Sequence, residues 1–196
     1  MANPIQVEGA WRRGWALDLL TLSSVLIGYT ASGREQFDTK RSELGELVYQ
    51  LKYKGQSQAA DKIATAMAEF FADKPDTVSH IDIVVPVPAS TPRPVQPVNS
   101  IASKLAKKLK KPFSDSAVRK TKKTPSLKSI SDLERRREAL DGAFEVDASQ
   151  VTGKGVLLVD DLYRSGATAN AVTLALIATG ATRVYFLAAT KTRSNV

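Results

Sequence analysis

Apolar positions recur along the first part of the chain with two different periods. A β-rich run at residues 24–29 leads through a turn at residues 31–33 into residues 36–38, which predicts a hairpin. Two stretches then carry apolar residues spaced three and four apart, as on one face of a helix. They are Leu44, Leu47, Val48 and Leu51 in the first and Ile63, Met67, Phe70 and Phe71 in the second. We predict two consecutive helices, the first ending near Lys54 because Gly55 follows.

The period then changes to that of buried strands. Residues 81–87 form a β-branched apolar run interrupted by Pro86 and followed by Pro88, which predicts a strand buried on both faces that ends in a rigid turn. A proline-rich loop follows, and the next helix has an apolar face at Ile101, Ala102, Leu105 and Leu109. Asn99 is the expected N-cap of that helix.

The last third of the chain alternates loop, strand and helix. Nothing is periodic at residues 119–128, so we predict a mobile basic loop there. Ser131 and Glu134 match a capping box for a short helix. Residues 155–160 predict a strand, residues 168–179 a helix and residues 183–189 another strand. This order predicts an α/β fold with a mostly parallel twisted sheet flanked by helices, in which ligands bind at the carboxyl ends of the strands.

Composition excludes several classes of site. The absence of cysteine excludes disulfides, thiolate nucleophiles, zinc ribbons and iron–sulfur clusters. The charge-free stretch at residues 19–33 is too short for a membrane span, and the amino terminus does not read as a secretory signal. We therefore expect a cytoplasmic protein with no membrane partner. The single histidine, His80, is expected at the surface, and no metal site made wholly of protein ligands is expected.

Positive charge is concentrated in one segment. The formal net charge is +8, yet residues 104–128 hold ten basic residues and one acid, Asp115. Outside that segment 18 basic residues oppose 19 acidic ones. Either the segment is a solvated helix face and loop, or it faces an anionic ligand. Because it has no aromatic residue besides Phe113, any nucleic acid bound there would be recognised through backbone charge rather than base stacking.

The strongest chemical motif follows the strand at residues 155–160. Apolar residues deliver Asp160 and Asp161 to a strand end, and a small hydroxylated turn containing Gly166 then opens a helix. Backbone N–H groups of such a turn lie at the positive end of the helix dipole and bind phosphate. The two carboxylates repel phosphate and favour neutral hydroxyls, or a cation beside the phosphate. A ribose 5-phosphate meets both demands.

This motif resembles the ribose-phosphate signature of type I phosphoribosyltransferases. The wider order of residues 51–55 (Leu-Lys-Tyr-Lys-Gly), 85–88 (Val-Pro-Val-Pro) and 159–161 (Val-Asp-Asp) resembles the ComF family of those proteins. The resemblance implies the type I phosphoribosyltransferase fold, cytoplasmic nucleotide metabolism and a glycosyltransferase reaction. In that reaction the phosphoribosyl group of phosphoribosyl pyrophosphate is transferred to an acceptor resembling a nucleobase, with Mg²⁺ bridged by the ligand.

The resemblance also implies roles for individual residues. Asp160 and Asp161 would be catalytic, holding the ribose hydroxyls and facing the positive charge that develops on the ring. The 5-phosphate would be bound by Arg164, Ser165, Gly166, Ala167 and Thr168. The pyrophosphate loop would be Val87, Pro88 and Ala89. A flexible basic loop closing over the site would include Arg119, Lys120, Lys122 and Lys123.

The resemblance divides the chain into a small N-terminal hood or hairpin element at residues 1–45 and a core at residues 46–196, with the basic loop at about 118–130. Three features depart from the family: the missing amino-terminal cysteines, the sequence of residues 93–99, and Arg164 in place of a hydroxyl residue. We expect packing through Trp11 and Trp15 to order the first 40 residues. A catalytically weak module that binds nucleotides, or nucleic acid through residues 104–128, in DNA uptake or regulation remains an alternative. The sequence leaves open whether the protein forms a homodimer.

Overall fold

The computed structural model describes residues 3–89, 96–121, 140 and 142–193. In those ranges the strands are β1 (Ile5–Gln6), β2 (Arg13–Leu19), β3 (Thr21–Tyr29), β4 (Glu35–Arg41), β5 (Ile83–Pro86), β6 (Val118–Lys120), β7 (Phe144–Val146), β8 (Gly155–Tyr163) and β9 (Arg183–Lys191). The helices are α1 (Glu43–Tyr53), α2 (Gln58–Phe71), α3 (Pro75–Ser79), α4 (Pro97–Leu109), α5 (Ala148–Val151) and α6 (Ala167–Ala178).

A five-stranded sheet with the order β1-β2-β9-β8-β5 forms the centre of the fold. The β2–β9, β9–β8 and β8–β5 pairs are parallel, and β1 runs antiparallel to β2 at the edge. The expected α/β fold with a mostly parallel sheet is thereby confirmed. Because the four parallel strands share one direction, their carboxyl ends meet at a single edge of the sheet.

The residues of β8 show why both faces of this sheet are covered. Leu157 and Val159 pack on the side of α1, α2 and α4. Val156 and Leu158 pack on the other side, with α6 and Trp11. Alternate side chains of a strand point to opposite faces, so a continuous apolar run needs a layer of helices on each side.

The first 45 residues contribute to two different sheets. Strands β1 and β2 lie in the central sheet, whereas β3 and β4 form a separate two-stranded hairpin. The predicted packing of the tryptophans is confirmed: Trp11 stacks on Phe186 with ring centroids 4.6 Å apart, and Trp15 lies edge-on to Phe70 at 5.3 Å. An N-terminal element at residues 1–45 therefore includes part of the central sheet as well as the hairpin.

The hairpin was predicted at the correct place, but it leaves much apolar surface in solvent. Its exposed large apolar side chains are Leu22, Val25, Leu26, Ile27, Tyr29 and Phe37. Arg193 donates a hydrogen bond to the carbonyl of Leu22 at 2.7 Å, which ties the base of the hairpin to the end of β9. None of the described helices combines the length and the apolar character that a membrane crossing needs.

Two expectations about local structure were wrong. Helix α4 is capped by Gln96 and begins at Pro97, so Asn99 is not its N-cap. Proline is favoured at a first helical position because its N–H is not needed there. Residues 118–120 form strand β6 rather than loop, since Val118 is buried and β6 pairs with β7 in antiparallel register. The capping box of Ser131 and Glu134 lies outside the described residues.

Candidate active site

Strand β5 ends beside Val159 of β8, the residue before the two acids, and β8 continues to Tyr163. Residue Val87, just after β5, donates its backbone N–H to the carbonyl of Val159 at 2.8 Å. This bond places the start of the expected pyrophosphate loop beside the residue that precedes Asp160. Pro88 and Ala89, the other two loop residues, follow directly and are partly exposed.

Asp161 is held by a cation from a distant part of the chain. The Lys52 ammonium in α1 donates to Asp161 Oδ1 at 2.7 Å. Both side chains are largely buried, with 19% and 12% of their surfaces exposed. Thr190 of β9 donates its hydroxyl to the Asp161 backbone carbonyl at 3.0 Å. Asp161 is thus fixed from α1 through its side chain and from β9 through its backbone.

Asp160 occupies a different environment from its neighbour. Its Oδ1 accepts the backbone N–H of Asp161 at 2.8 Å. Burial raises the pKa of the Asp160 carboxyl to about 7, and the negative charge of Asp161 adds to the rise. The charge of Lys52 and backbone hydrogen bonds from Asp161 and Leu162 oppose it. The paired acids are therefore unequal, because the ammonium of Lys52 donates to the Asp161 carboxylate, whereas Asp160 accepts from the backbone N–H of Asp161.

A tight turn follows the two acids and opens helix α6. Gly166 is the N-cap residue of α6 and has left-handed backbone angles, with φ +72°. A Cβ on Gly166 would lie 2.8 Å from the ring of Tyr163. Glycine is required at this position for both reasons, since side chains disfavour this φ and the tyrosine ring occupies the space.

The start of α6 offers hydrogen-bond donors to an anion. Its N-cap is a glycine, so no side chain of the cap residue satisfies the first N–H groups of the helix. Ser165 and Thr168, partly exposed on either side, carry hydroxyls, and the Arg164 side chain is exposed. Donors at the positive end of the helix dipole form a site suited to phosphate.

The N-terminal segment supports this turn from behind. Asn170 accepts the backbone N–H of Ala10 at 2.6 Å through Oδ1 and donates to the Gly166 carbonyl at 3.0 Å through Nδ2. The Trp11 ring contacts Tyr163 edge-on at a centroid distance of 6.3 Å. Asn170 and Tyr163 thus connect the N-terminal segment to the turn that contains Gly166.

The expected flexible basic loop is only partly within the described residues. Arg119 and Lys120 lie in β6, opposite Glu145 and Phe144 of β7. Partial burial lowers the pKa of Lys120 below its usual value. Lys122 and Lys123 lie outside the described residues. The described part of the expected loop therefore lies in an antiparallel β6–β7 pair.

Metal ligands are sparse in the described part of the chain. No group of three or more His, Cys, Asp or Glu side chains comes together there in an arrangement suited to a metal ion. Mg²⁺ prefers oxygen ligands and retains several waters, so it can be held largely by a phosphorylated ligand. The carboxylates of Asp160 and Asp161, beside a turn suited to phosphate, fit that mode of binding and would supply at most a minor share of the oxygen ligands.

Comparison with known families now becomes informative. A family model described as the phosphoribosyl transferase domain matches residues 52–194, well over half of the chain. The chain belongs to the phosphoribosyltransferase family. In this phosphoribosyltransferase domain the match begins at Lys52, the residue that contacts Asp161, and it includes both acids and the turn after them.

Solved structures agree at the level of the fold. The allosteric regulatory enzyme of purine biosynthesis is similar to this domain with a TM-score of 0.50 and 18% identity, over 82% of this chain and 34% of that one. This chain thus spans about a third of the length of that enzyme. No curated protein sequence matches the chain.

Two further structures are more distant in shape. An adenine phosphoribosyltransferase has a TM-score of 0.43 at 18% identity, over 86% of each chain. A hypoxanthine phosphoribosyltransferase from Staphylococcus aureus has a TM-score of 0.41 at 12% identity, over 72% of this chain and 77% of that one.

Sequence reasoning located the acids, the turn and Val87, and the structure brings these together at one edge of the sheet. Sequence reasoning did not predict the contacts of Lys52 and Asn170. The signal for Lys52 was present, since it lies in the Leu-Lys-Tyr-Lys-Gly run that resembled the ComF family, but only folding shows its partner. Nothing in the sequence marked Asn170.

Proposed function

We propose that this domain binds phosphoribosyl pyrophosphate together with Mg²⁺ and transfers the phosphoribosyl group to an acceptor resembling a nucleobase, as a ComF-like phosphoribosyltransferase. One observation carries the proposal: Asp160 and Asp161 follow the apolar residues of β8 near its carboxyl end at Tyr163, and the glycine turn at Gly166 then opens α6. Carboxylates that accept from neutral hydroxyls and a turn that donates to phosphate match the two ends of a ribose 5-phosphate.

The chemistry assigned to these residues is charge stabilisation and positioning. The bond between ribose C1 and the pyrophosphate oxygen breaks, pyrophosphate departs with the electron pair, and C1 bonds to an acceptor nitrogen that loses its proton. Asp160 and Asp161 accept hydrogen bonds from the ribose hydroxyls and face the positive charge on the ring. Mg²⁺, when bound with the ligand, neutralises the pyrophosphate. The residues of the turn (164–168) hold the 5-phosphate, and Val87, Pro88 and Ala89 receive the pyrophosphate.

We place the binding site of the acceptor in the hood formed by hairpin β3–β4 and helix α1. The Arg41 guanidinium lies 3.9 Å from the centroid of the Tyr49 ring, and Tyr49 and Tyr53 have centroids 5.3 Å apart. Tyr53 is 63% exposed and follows Lys52 directly in the sequence. Flat bases stack on aromatic rings without regard to their hydrogen-bonding edges. This aromatic surface, on the helix that carries Lys52, supports a nucleobase-like acceptor.

Calorimetry with phosphoribosyl pyrophosphate and Mg²⁺ tests the proposal directly. We expect the wild type to bind, and the double variant Asp160→Asn/Asp161→Asn to lose turnover much more than it loses folding. Hydrogen bonds to charged groups are worth about 1.5–3 kcal/mol each, so the double change weakens binding by about a hundredfold or more. Full binding by the double variant would show that the ribose assignment is wrong.

Turnover is measured as release of pyrophosphate with purine and pyrimidine bases supplied singly. Stoichiometric binding of phosphoribosyl pyrophosphate with no pyrophosphate release from any base would favour the alternative of a regulatory module that keeps the ligand site. Absence of all binding by the wild type would contradict both.

A further inference from the structure

The Lys52–Asp161 pair joins parts of the chain that are 109 positions apart. Lys52 lies in the last turn of α1, on the face of the sheet that α1, α2 and α4 cover. Its side chain reaches Asp161 near the carboxyl end of β8. Its ammonium is 2.7 Å from Asp161 Oδ1, and only 19% of its side chain is exposed. Exposed ion pairs contribute little to stability, but this pair is largely shielded from water and lies within the ligand site.

We propose that Lys52 is a positioning residue of the phosphoribosyl site, which fixes the Asp161 carboxylate and allows both acids of the pair to be anionic when the ribose binds. The proposal rests on the proposed function above. It adds a residue, outside the acidic motif and the phosphate turn, on which the affinity for phosphoribosyl pyrophosphate depends.

The electrostatic need for a cation follows from the sequence of the motif. Two adjacent carboxylates in a partly buried site repel each other, so that one of them tends to retain its proton. A protonated carboxyl loses acceptor capacity toward a ribose hydroxyl. An ammonium that contacts Asp161 offsets this repulsion, and it acts on Asp160 in the same direction by lowering the pKa that burial and Asp161 raise.

The charged groups that act on Asp160 are few in the described part of the chain. From its own strand Asp161 contributes negative charge, and from α1 Lys52 contributes positive charge. The backbone N–H groups of Asp161 and Leu162 donate to it. Thr190 of β9 binds the Asp161 backbone rather than either carboxylate. Lys52 is therefore the cation whose removal most directly changes the charge of the acid pair.

The same helix supplies a matched control. Lys54 carries the same charge two positions further on, but it is exposed and lies 5.9 Å from the Tyr49 ring centroid. We compare Lys52→Met, Lys52→Arg and Lys54→Met in the full chain. Methionine preserves the length and apolar stem of lysine, and arginine preserves its charge.

The experiment measures calorimetric affinity for phosphoribosyl pyrophosphate with Mg²⁺ from about pH 6 to about pH 8.5, together with urea unfolding. For Lys52→Met we expect a loss of about tenfold or more near neutral pH. The loss should shrink as pH rises, because Asp160, whose pKa burial and the charge of Asp161 raise, then ionises without the help of Lys52. Lys52→Arg should retain most of the affinity, and Lys54→Met should match the wild type at every pH.

A purely structural role would lower affinity by the same factor at every pH, and that result would overturn the proposal, as would unchanged affinity of a folded Lys52→Met. If Lys52→Met does not fold, we use the double variant Lys52→Met/Asp161→Asn, in which the Asp161 carboxylate that has lost its partner is also neutralised. We then compare it with Asp161→Asn alone. Equal affinity of these two variants supports a role through Asp161, and a further pH-independent loss in the double variant contradicts it. Lack of binding by the wild type would instead contradict the proposed function.

Discussion

At the scale of single residues, Gly166 and the two acids show how backbone geometry and charge define the site. Gly166 combines a left-handed φ with a tyrosine ring in the place where a side chain would lie. Asp160 and Asp161 are chemically identical and adjacent, yet one is paired with an ammonium and the other has a pKa near neutrality. Their different environments come from α1, which the strand sequence does not contain.

We predict that Gly166→Ala weakens binding of phosphoribosyl pyrophosphate by about tenfold or more, because the methyl group displaces Tyr163 and the turn with it. Gly153→Ala is the matched control: Gly153 has φ +74°, but a Cβ there would meet no atom within 4 Å. Both variants carry the same backbone strain. Calorimetry should therefore show lost affinity only for Gly166→Ala, and equal affinities would show that the turn is not the phosphate site.

We predict that Asp160→Asn gains stability over the wild type as pH rises. The pKa of Asp160 is about 7 in the native protein, whereas an unfolded aspartate titrates at about 3.9. Between these values the native state holds a proton that the unfolded chain has lost, so this group's contribution to the free energy of unfolding falls with rising pH. Below about pH 4 both states are protonated, and the variant and the wild type should be close.

Urea unfolding at about pH 4, 6 and 8 measures that difference. The difference in free energy of unfolding between Asp160→Asn and the wild type should grow across this range and reach its full size above about pH 8. Asp38→Asn, at an exposed hairpin position, serves as the control. A gap that stays constant with pH would contradict the raised pKa.

At the scale of elements, the site depends on supports that lie behind it. Helix α6 opens at the proposed phosphate turn, and Asn170 in the first turn of the helix connects it to the N-terminal segment. On the other side of the sheet, α1 begins at Ser42, whose hydroxyl caps Gly45 and also binds the Leu19 carbonyl of β2. The α1 helix that carries Lys52 is thereby anchored to the central sheet.

We predict that Asn170→Ala lowers the affinity for phosphoribosyl pyrophosphate about threefold or more and destabilises the fold by about 1–3 kcal/mol, since Ala10 loses the acceptor of its N–H. Asn99→Ala is the control, because Asn99 makes an exposed side-chain bond to Asp115 at 3.3 Å. Affinity by calorimetry and stability by urea unfolding should change only for Asn170→Ala. An unaffected affinity would show that the N-terminal segment does not position the turn.

At the scale of the whole molecule, positive charge is concentrated in one segment of the chain. Residues 104–128 follow the proposed pyrophosphate loop in the sequence and precede β8. Within the described residues this segment includes the C-terminal half of α4 and strand β6. Lys108 of α4 forms an ion pair with Asp61 of α2 at 3.3 Å, so part of this charge is used in packing between helices.

We predict that neutralising Arg119, Lys120, Lys122 and Lys123 together lowers turnover with phosphoribosyl pyrophosphate and leaves folding nearly unchanged. The reason is that a basic segment closing over the ligand stabilises pyrophosphate through its charge. Turnover and nucleic-acid affinity are measured on the same variant. If duplex or single-strand affinity is lost instead, with a salt slope reduced by up to about one per lost phosphate contact, the nucleic-acid alternative is favoured. No change in either would mean that this segment is solvated surface.

Local patterns in the sequence were enough to predict strands β5, β8 and β9, the amphipathic helices α1, α2 and α4, the hairpin and the acids before the glycine turn, but not strand β2 of the central sheet. Burial on both faces requires a continuous apolar run, and a turn with positive φ favours glycine, so these features appear in consecutive residues. The resemblance of the acidic motif to phosphoribosyltransferases also depends on consecutive residues, and the family match confirms it.

Tertiary structure alone decided what each of those residues contacts. Strand β2 joins β9 across most of the chain length, Lys52 reaches Asp161, and Asn170 reaches Ala10. Such contacts depend on the order of strands in the sheet, which local periodicity does not encode. The pKa of Asp160 follows for the same reason, because burial and neighbouring charge arise only when distant segments pack together.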